Sequence, residues 1–423
     1  MQLTKKNRIG AALASASCAL LGVQQASAAE TDELGWKIDA ALLYYTEQDR
    51  VQATEPTIKA QKTFANEQKL NLNLVVDTLT GASPNGAAPT DVVQTFTRPS
   101  GVGSYTVPAG DIPLDDTFHD TRVQIGAGWE APINRLTRYN IGANFSNEYD
   151  YTSLSVNGGL SRDFNKKNTT LSIGLAYAAD SLSPEGGIPT PLASMAAPGA
   201  VQPRDGNDDT KDVVDVVIGL TQVITPRLLM QFNIGLSESS GYLNDPFKIV
   251  SIVDANGRPL DYIYENRPDS RSKQTLFWSS KYHLPIGDTL DVSYRFMTDD
   301  WGIDSHTLDF HYRWNITDTV YLQPHLRWYQ QSAADFYRHS LAASEPVPQE
   351  VSADYRLAEF DATTLGLKFG YLLGENKEFS ARLESYQQRG DSSPSDAIGV
   401  QKNYDMFPDL DALIFQVGYT FSF

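Results

Sequence analysis

The stretch Leu413-Ile414-Phe415-Gln416-Val417-Gly418-Tyr419-Thr420-Phe421-Ser422-Phe423 sets a large apolar side chain at every second position. Successive side chains of a strand point to opposite faces, so this segment reads as one strand with a continuous apolar face. The same period recurs upstream. Leu70, Leu72, Leu74 and Val76 alternate with Asn71, Asn73, Val75 and Asp77, and Val123, Ile125, Ala127 and Trp129 alternate with Arg122, Gln124 and two glycines. Leu171–Tyr177, Val214–Leu220, Leu228–Leu236, Leu290–Phe296, Leu308–Trp314, Leu365–Tyr371 and Phe379–Leu383 repeat it. Period two sustained over most of the chain predicts an all-β protein of half-buried antiparallel strands.

The two faces of such strands are either core and solvent or lipid and lumen, and the connections decide between them. Tight turns at Asn165–Asn168, Thr225–Arg227, Pro285–Asp288, Thr317–Asp318 and Gly374–Asn376 alternate with long polar loops at Gly81–Thr117, Ser181–Thr210, Gly241–Arg271, Asp335–Leu357 and Gly390–Leu410. Short turns on one side and long loops on the other mark a transmembrane β-barrel of the outer-membrane type. A last strand closing on Phe423 has the form of the terminal signal that barrel-assembly machinery reads, so that machinery is an expected partner. Tyr and Trp near strand ends fit interfacial girdles. Both termini of such a barrel are periplasmic, which makes the strand number even. Fifteen strands are plain, beginning with Trp36–Thr46. The segment Arg50–Phe64 is the weakest because it carries Pro56, and taking it as a strand turning at Ala65–Glu67 gives sixteen. Barrels of that size leave an aqueous channel.

The N-terminal thirty residues set the compartment. Lys5, Lys6 and Arg8 precede the apolar run Ile9–Val23, and small residues follow at Ala26-Ser27-Ala28. This is the pattern of a secretory signal peptide over residues 1–28, cut after Ala28, which leaves 29–423 as the barrel. The run is too short for a spanning helix, which needs roughly 18–20 residues. The chain's one cysteine, Cys18, lies in that segment, so the exported part has no disulfide or thiolate chemistry. With 34 basic against 52 acidic residues and a net charge of −18, the surface is a poor match for nucleic acid. Outer-membrane lipid and lipopolysaccharide are the expected surroundings.

With the apolar set facing lipid, the alternate residues face the lumen. On the later strands these include Asp291, Arg295, Asp309, His311, Arg313, His325, Arg327, Lys368, Arg382 and Glu384. A wall of mixed sign either sets the field of an aqueous pore or pairs across strands and fills the lumen. The basic members facing acidic groups suit a passive, porin-like channel for small hydrophilic solutes. Asp309 and His311, two apart on one face, have the arrangement a base-activated water needs, and Asp115, Asp116, Asp299 and Asp300 supply further carboxylates. That set resembles the acidic and Asp-His pairs of omptin proteases, but the surrounding pattern differs, and a lumen Asp–His contact is the expectation. Histidines 119, 283, 306, 311, 325 and 339 show no HxxxH or HExxH spacing, so no metal site or cofactor is expected. Asp205–Asp209 is oxygen-rich but lacks the spacing and distal Glu of an EF-hand, and reads as a solvated loop. Gly81–Thr117, rich in Pro, Gly and Ala, is the expected lumen plug, carried by Asp77, Thr80, Gly81, Pro84, Asn85 and Gly86. Lys248–Tyr264 reads as a hairpin projecting outside, turning at Asn256-Gly257.

Four stretches carry a resemblance: Asp49-Arg50-Val51, Asp77 through Ala87, Gln94 through Gly101, and Glu265 through Arg271. Together they resemble an uncharacterised family of proteobacterial exported proteins, catalogued as a domain of unknown function. The resemblance spans essentially the whole exported chain, and Asp77–Ala87 is its most specific part. It implies an outer-membrane location and no established activity. Relatives are often encoded beside thioredoxin-like and flavin-transferring proteins, which implies a periplasmic redox context. A barrel that docks a periplasmic or secreted, redox-linked partner is therefore the alternative to the channel.

Overall fold

The final strand meets the first. Trp36 N–H donates to Phe423 O at 2.7 Å and Phe423 N–H donates to Trp36 O at 2.9 Å, closing a sheet whose other strands pair in sequence order. The computed structural model describes residues 34–423 except Asp49 and Glu375. The expected signal peptide, its expected cleavage point and Cys18 lie outside the described residues. The barrel strands are β1 (Gly35–Glu47), β2 (Gln52–Thr63), β3 (Lys69–Pro84), β4 (Leu114–Asn134), β5 (Thr137–Asn147), β6 (Tyr151–Phe164), β7 (Thr169–Leu182) and β8 (Asp209–Thr225). They continue as β9 (Leu228–Gly241), β10 (Ser270–His283), β11 (Thr289–Asp299), β12 (Asp304–Asn315), β13 (Val320–Gln331), β14 (Phe360–Leu372), β15 (Lys377–Gly390) and β16 (Leu410–Ser422). These sixteen form one closed antiparallel barrel. Pro56 is accommodated within β2: it pairs with Leu42 of β1, while the ladder to β3 skips Glu55 and Pro56. Proline lacks the N–H that the second neighbour would need.

The outward face is apolar and exposed. Ile125, Ile141, Leu154, Ile173, Leu175, Ile218, Ile234, Leu276 and Leu365 each leave much of their side chain uncovered. In water a continuous belt of this kind would be unfavourable by about 25 cal/mol per Å² of apolar surface. Facing hydrocarbon it is the required surface, and closure satisfies the backbone without edges. The molecule is therefore a transmembrane barrel of the outer-membrane type. Among the described residues no helix is long and apolar enough to cross a membrane.

All seven connections on the side of the two ends are tight. On the other side three connections are also short (48–51, 148–150 and 300–303), and five are long. The long loops build a packed assembly over the mouth. The hairpin Ile249–Val253 and Pro259–Tyr264 forms with Gly257 at φ +79° in its turn, as its Asn-Gly predicts. It does not project freely. Ile249, Val250, Ser251, Val253 and Ile263 are buried, because alternate residues on both faces are apolar or small. Leu341–Ala342 pairs alongside, Ala88 N–H donates to Ser251 Oγ at 3.0 Å, and Met195 N–H donates to Tyr262 O at 2.7 Å. The expected plug region also changes its bounds. β3 runs to Pro84 and β4 starts at Leu114, so the connection is 85–113.

Candidate functional site

The lumen residues with chemistry come together because the barrel register lines them up in a row across six strands. Lys281 of β10 pairs with Asp291 of β11, Asp291 with His311 of β12, and His311 with His325 of β13. His325 pairs with Gly366 of β14, and Gly366 with Glu384 of β15. Asp309 stands one inward step from His311 toward the loops and pairs with Arg327.

Asp309 holds both imidazoles. His311 Nε2 is 2.8 Å from Asp309 Oδ1, and His325 Nε2 is 3.2 Å from Asp309 Oδ2. The two rings stack with centroids 4.1 Å apart and planes 10° from parallel. On its far side His325 Nδ1 lies 2.8 Å from Glu384 Oε1. That last bond skips a strand, and glycine permits it. A Cβ at Gly366 would stand 2.7 Å from Glu384 Cγ, so a larger residue would drive the carboxylate away. Gly370 serves Tyr321 in the same way: the ring passes over the glycine to donate to Glu378 Oε1 at 2.6 Å.

The remaining wall residues are brought together on this side of the lumen, and most are partnered. Lys281 Nζ lies 3.4 Å from Asp291, Arg382 3.6 Å from Glu384, and Lys368 3.3 Å from Glu378. Arg313 stacks 3.7 Å over the Tyr321 ring and Arg295 5.7 Å from the Phe277 centroid. Arg327 is exposed and makes no hydrogen bond or ion pair among the described residues. The Asp309–His311 contact expected from sequence is present, but it is half of a carboxylate clamped between two histidines. The missing half, His325, lies on the next strand. Lys281, Tyr321, Gly366, Gly370 and Glu378 also belong to this wall and carry no signal in a linear motif.

The expected plug residues divide. Asp77 is buried on the inner face of β3, 3.1 Å from Arg122 Nη2. Thr80 lies on β3, Gly81 has φ +142° against the Arg50 carbonyl, and Pro84 ends the strand. Asn85 and Gly86 enter the mouth assembly, where Asn85 O accepts from Ile249 N at 2.9 Å and a Cβ on Gly86 would meet Ile249 O at 2.4 Å.

A buried ion network ties that assembly to itself. Arg267 Nη2 donates to Asp354 Oδ2 at 2.7 Å and to Glu265 Oε2 at 2.9 Å. Arg356 donates from Nε to Asp354 Oδ1 at 2.6 Å and from Nη2 to Asp245 Oδ2 at 2.5 Å. Burial alone would raise the Asp354 carboxyl, yet Arg356 and Arg267 beside it hold it well below the usual carboxylate range. Burial pushes the neighbouring Lys248 ammonium below its usual range, and its Nζ donates to Pro84 O. Trp301, Phe336, Tyr355, Leu357 and Phe407 pack beside this network, against the inward Met297 of β11 and Phe360 of β14. The assembly therefore rests on the inner rim of the barrel.

A closed barrel with a lipid-facing belt and a charged inner wall defines a membrane-spanning protein with a polar interior. Residues 10–421 match the family described as Protein of unknown function (DUF3570), and the chain belongs to that family. No curated protein matches it. Among solved structures, the chain is similar to the ferric enterobactin receptor PfeA of Pseudomonas aeruginosa, with 11% identity and a TM-score of 0.44 over 91% of this chain and 60% of that one. It is similar to CdiB of Acinetobacter baumannii, with 8% identity and a TM-score of 0.47 over 92% and 60%. It is also similar to OccK5 (OpdH) of Pseudomonas aeruginosa, with 10% identity and a TM-score of 0.42 over 92% and 98%. The chain thus spans about 60% of the length of the first two. At such identities and TM-scores these likenesses say nothing further about what this chain does.

Proposed function

We propose that the protein is an outer-membrane channel for small hydrophilic solutes, narrowed at its outer mouth by the packed loops. The observation that carries this reading is the polar, charged inner wall of a closed barrel of sixteen strands, a size at which an aqueous lumen remains. Most wall charges are paired, which favours a modest field and a small conductance. Arg327, without an ionic partner among the described residues, is the group expected to bias the pore toward anions. Export by a signal peptide cleaved after Ala28, assembly through the strand ending at Phe423, and contact with lipopolysaccharide complete the reading.

Single-channel recording of the refolded protein in planar bilayers under a salt gradient tests it. The expected result is stable unitary conductance whose reversal potential moves toward cation preference in Arg327→Gln. A folded barrel that stays silent overturns the channel and favours the docking of a periplasmic or secreted partner.

A further inference from the structure

We propose that Asp309, His311 and His325 bind one divalent transition-metal ion in the lumen wall, with Glu384 as the outer carboxylate that orients His325. One nitrogen from each imidazole and one oxygen of Asp309 all lie within 4.8 Å of one another. Zinc takes histidine nitrogen at about 2.0–2.1 Å and carboxylate oxygen at about 2.0–2.2 Å, so ligand atoms on one ion stand roughly 3–3.5 Å apart. The Nε2 atoms of both histidines are already within 3.2 Å of Asp309 oxygens. The two rings stand stacked 10° from parallel, so bringing all three onto one ion needs rotation about the histidine side-chain bonds to aim both nitrogens at it.

Three further features separate this cluster from a chance meeting of polar side chains. Glu384 meets Nδ1 of His325, leaving Nε2 to face the proposed ion, which is how outer carboxylates fix the ring and tautomer of a metal-binding histidine. Gly366 keeps clear the path that this carboxylate needs. The ligands also stand on paired strands of a closed sheet, which holds their backbones rigidly. Two imidazoles and one carboxylate suit zinc, copper, nickel or cobalt rather than magnesium or calcium, whose sites are built from oxygen. Three protein ligands leave a position open to water, and the His311 side chain keeps 32% of its surface exposed.

The site does not depend on the channel reading, and its test reads metal rather than current. The refolded full chain, stripped with chelator in detergent, is titrated with Co²⁺ while its d–d absorption is followed, and with Zn²⁺ in equilibrium dialysis. The expected result is one saturable equivalent per chain. His311→Gln and His325→Gln should each weaken it at least about 100-fold, and Glu384→Gln about 10–100-fold. Gly366→Ala should weaken it in the same direction by displacing Glu384. A variant with His283→Gln and His306→Gln should bind as the parent does. Heat-modifiable gel migration confirms that each variant is a folded barrel. The proposal is overturned if the folded parent shows no saturable binding at 100-micromolar metal (about the weak limit for a specific site), or if binding survives the joint loss of His311 and His325.

Discussion

Replacing Asp354 with alanine should open the mouth of the barrel without unfolding its wall. Asp354 is 0% exposed and accepts from Arg267 Nη2 at 2.7 Å, from Arg356 Nε at 2.6 Å and from the Arg356 backbone N–H at 3.1 Å. It also caps the turn Tyr355–Leu357. Its loss leaves two buried guanidinium groups with one carboxylate each, Glu265 for Arg267 and Asp245 for Arg356. Breaking a buried ion pair from one side costs about 3–5 kcal/mol, because a charge is left uncompensated out of water. At about 1.4 kcal/mol per decade, local opening should become roughly two to four powers of ten more frequent. Hydrogen exchange of the refolded protein reads this directly. Amides of 245–267 and 349–358 should lose protection together, since Asn266 and Val351 exchange backbone hydrogen bonds at 2.8 and 2.9 Å. Amides in the middle of β12–β15 should not change. Asp91→Asn, which removes the exposed partner of Arg258, should leave protection within about twofold. The triple variant Asp354→Leu, Arg267→Met and Glu265→Gln should recover much of the protection, because it also removes the carboxylate that loss of Arg267 would leave unpaired and keeps the Arg356–Asp245 pair. The reasoning is refuted if Asp354→Ala changes protection of both segments by less than about threefold.

Two other perturbations probe the belt and the loops. Leu365→Arg places a cation on the lipid face at a position 60% exposed near the middle of β14, and should destabilise the assembled barrel by about 2–4 kcal/mol, measured by urea titration in lipid vesicles. Lys368 lies on the inner face of the same strand beside Glu378, so Lys368→Arg should leave the urea midpoint nearly unchanged, and a loss equal to that of Leu365→Arg would contradict the assignment of faces. In the loop 332–359, burial lowers the His339 imidazole below its ordinary range, while Asp396 at 3.5 Å and Asp391 oppose this only in part. The opened loop then binds a proton more readily than the closed one, so closure weakens as pH falls below about 6.5 and levels off beneath the depressed value. His339→Gln should remove that pH dependence from the exchange rates of 335–342, and an unchanged slope would show that another group is responsible.

The parts of this structure that were legible in the sequence are those written along the chain. A lipid-facing strand is a local pattern of period two, so the terminal run Leu413–Phe423 and its relatives carry belt, lumen face and strand parity within a dozen residues each. Even the weak β2 followed from parity, because an odd number would put one end on the wrong side. The inner wall is a different kind of object. Its rows run perpendicular to the strands, so neighbours in space are separated in sequence by whatever the turns and loops contain. Lys281, Asp291, His311, His325 and Glu384 belong to one row, and the distance between His325 and Glu384 includes the entire loop 332–359. No fixed spacing can encode that pairing, which is why a search for two histidines at helical intervals passes over His311 and His325. The loops were opaque for a related reason. Their core joins 85–96, 188–195, 249–264 and 341–357, four segments whose partners are set only once the barrel has brought their ends to one rim. What the row does leave in the sequence is an inward glycine beside long polar side chains, as at Gly366 and Gly370. In a strand, glycine weakens packing and is tolerated where another chain element must pass closely. Both glycines are crossed by side chains that bond two strands away, Glu384 to His325 and Tyr321 to Glu378. At Gly366 and Gly370 the inward glycine thus marks where a cross-strand polar contact skips a strand, whereas inward Gly128 and Gly235 are crossed by no polar side chain, so only a glycine flanked by long polar side chains points to the proposed metal site.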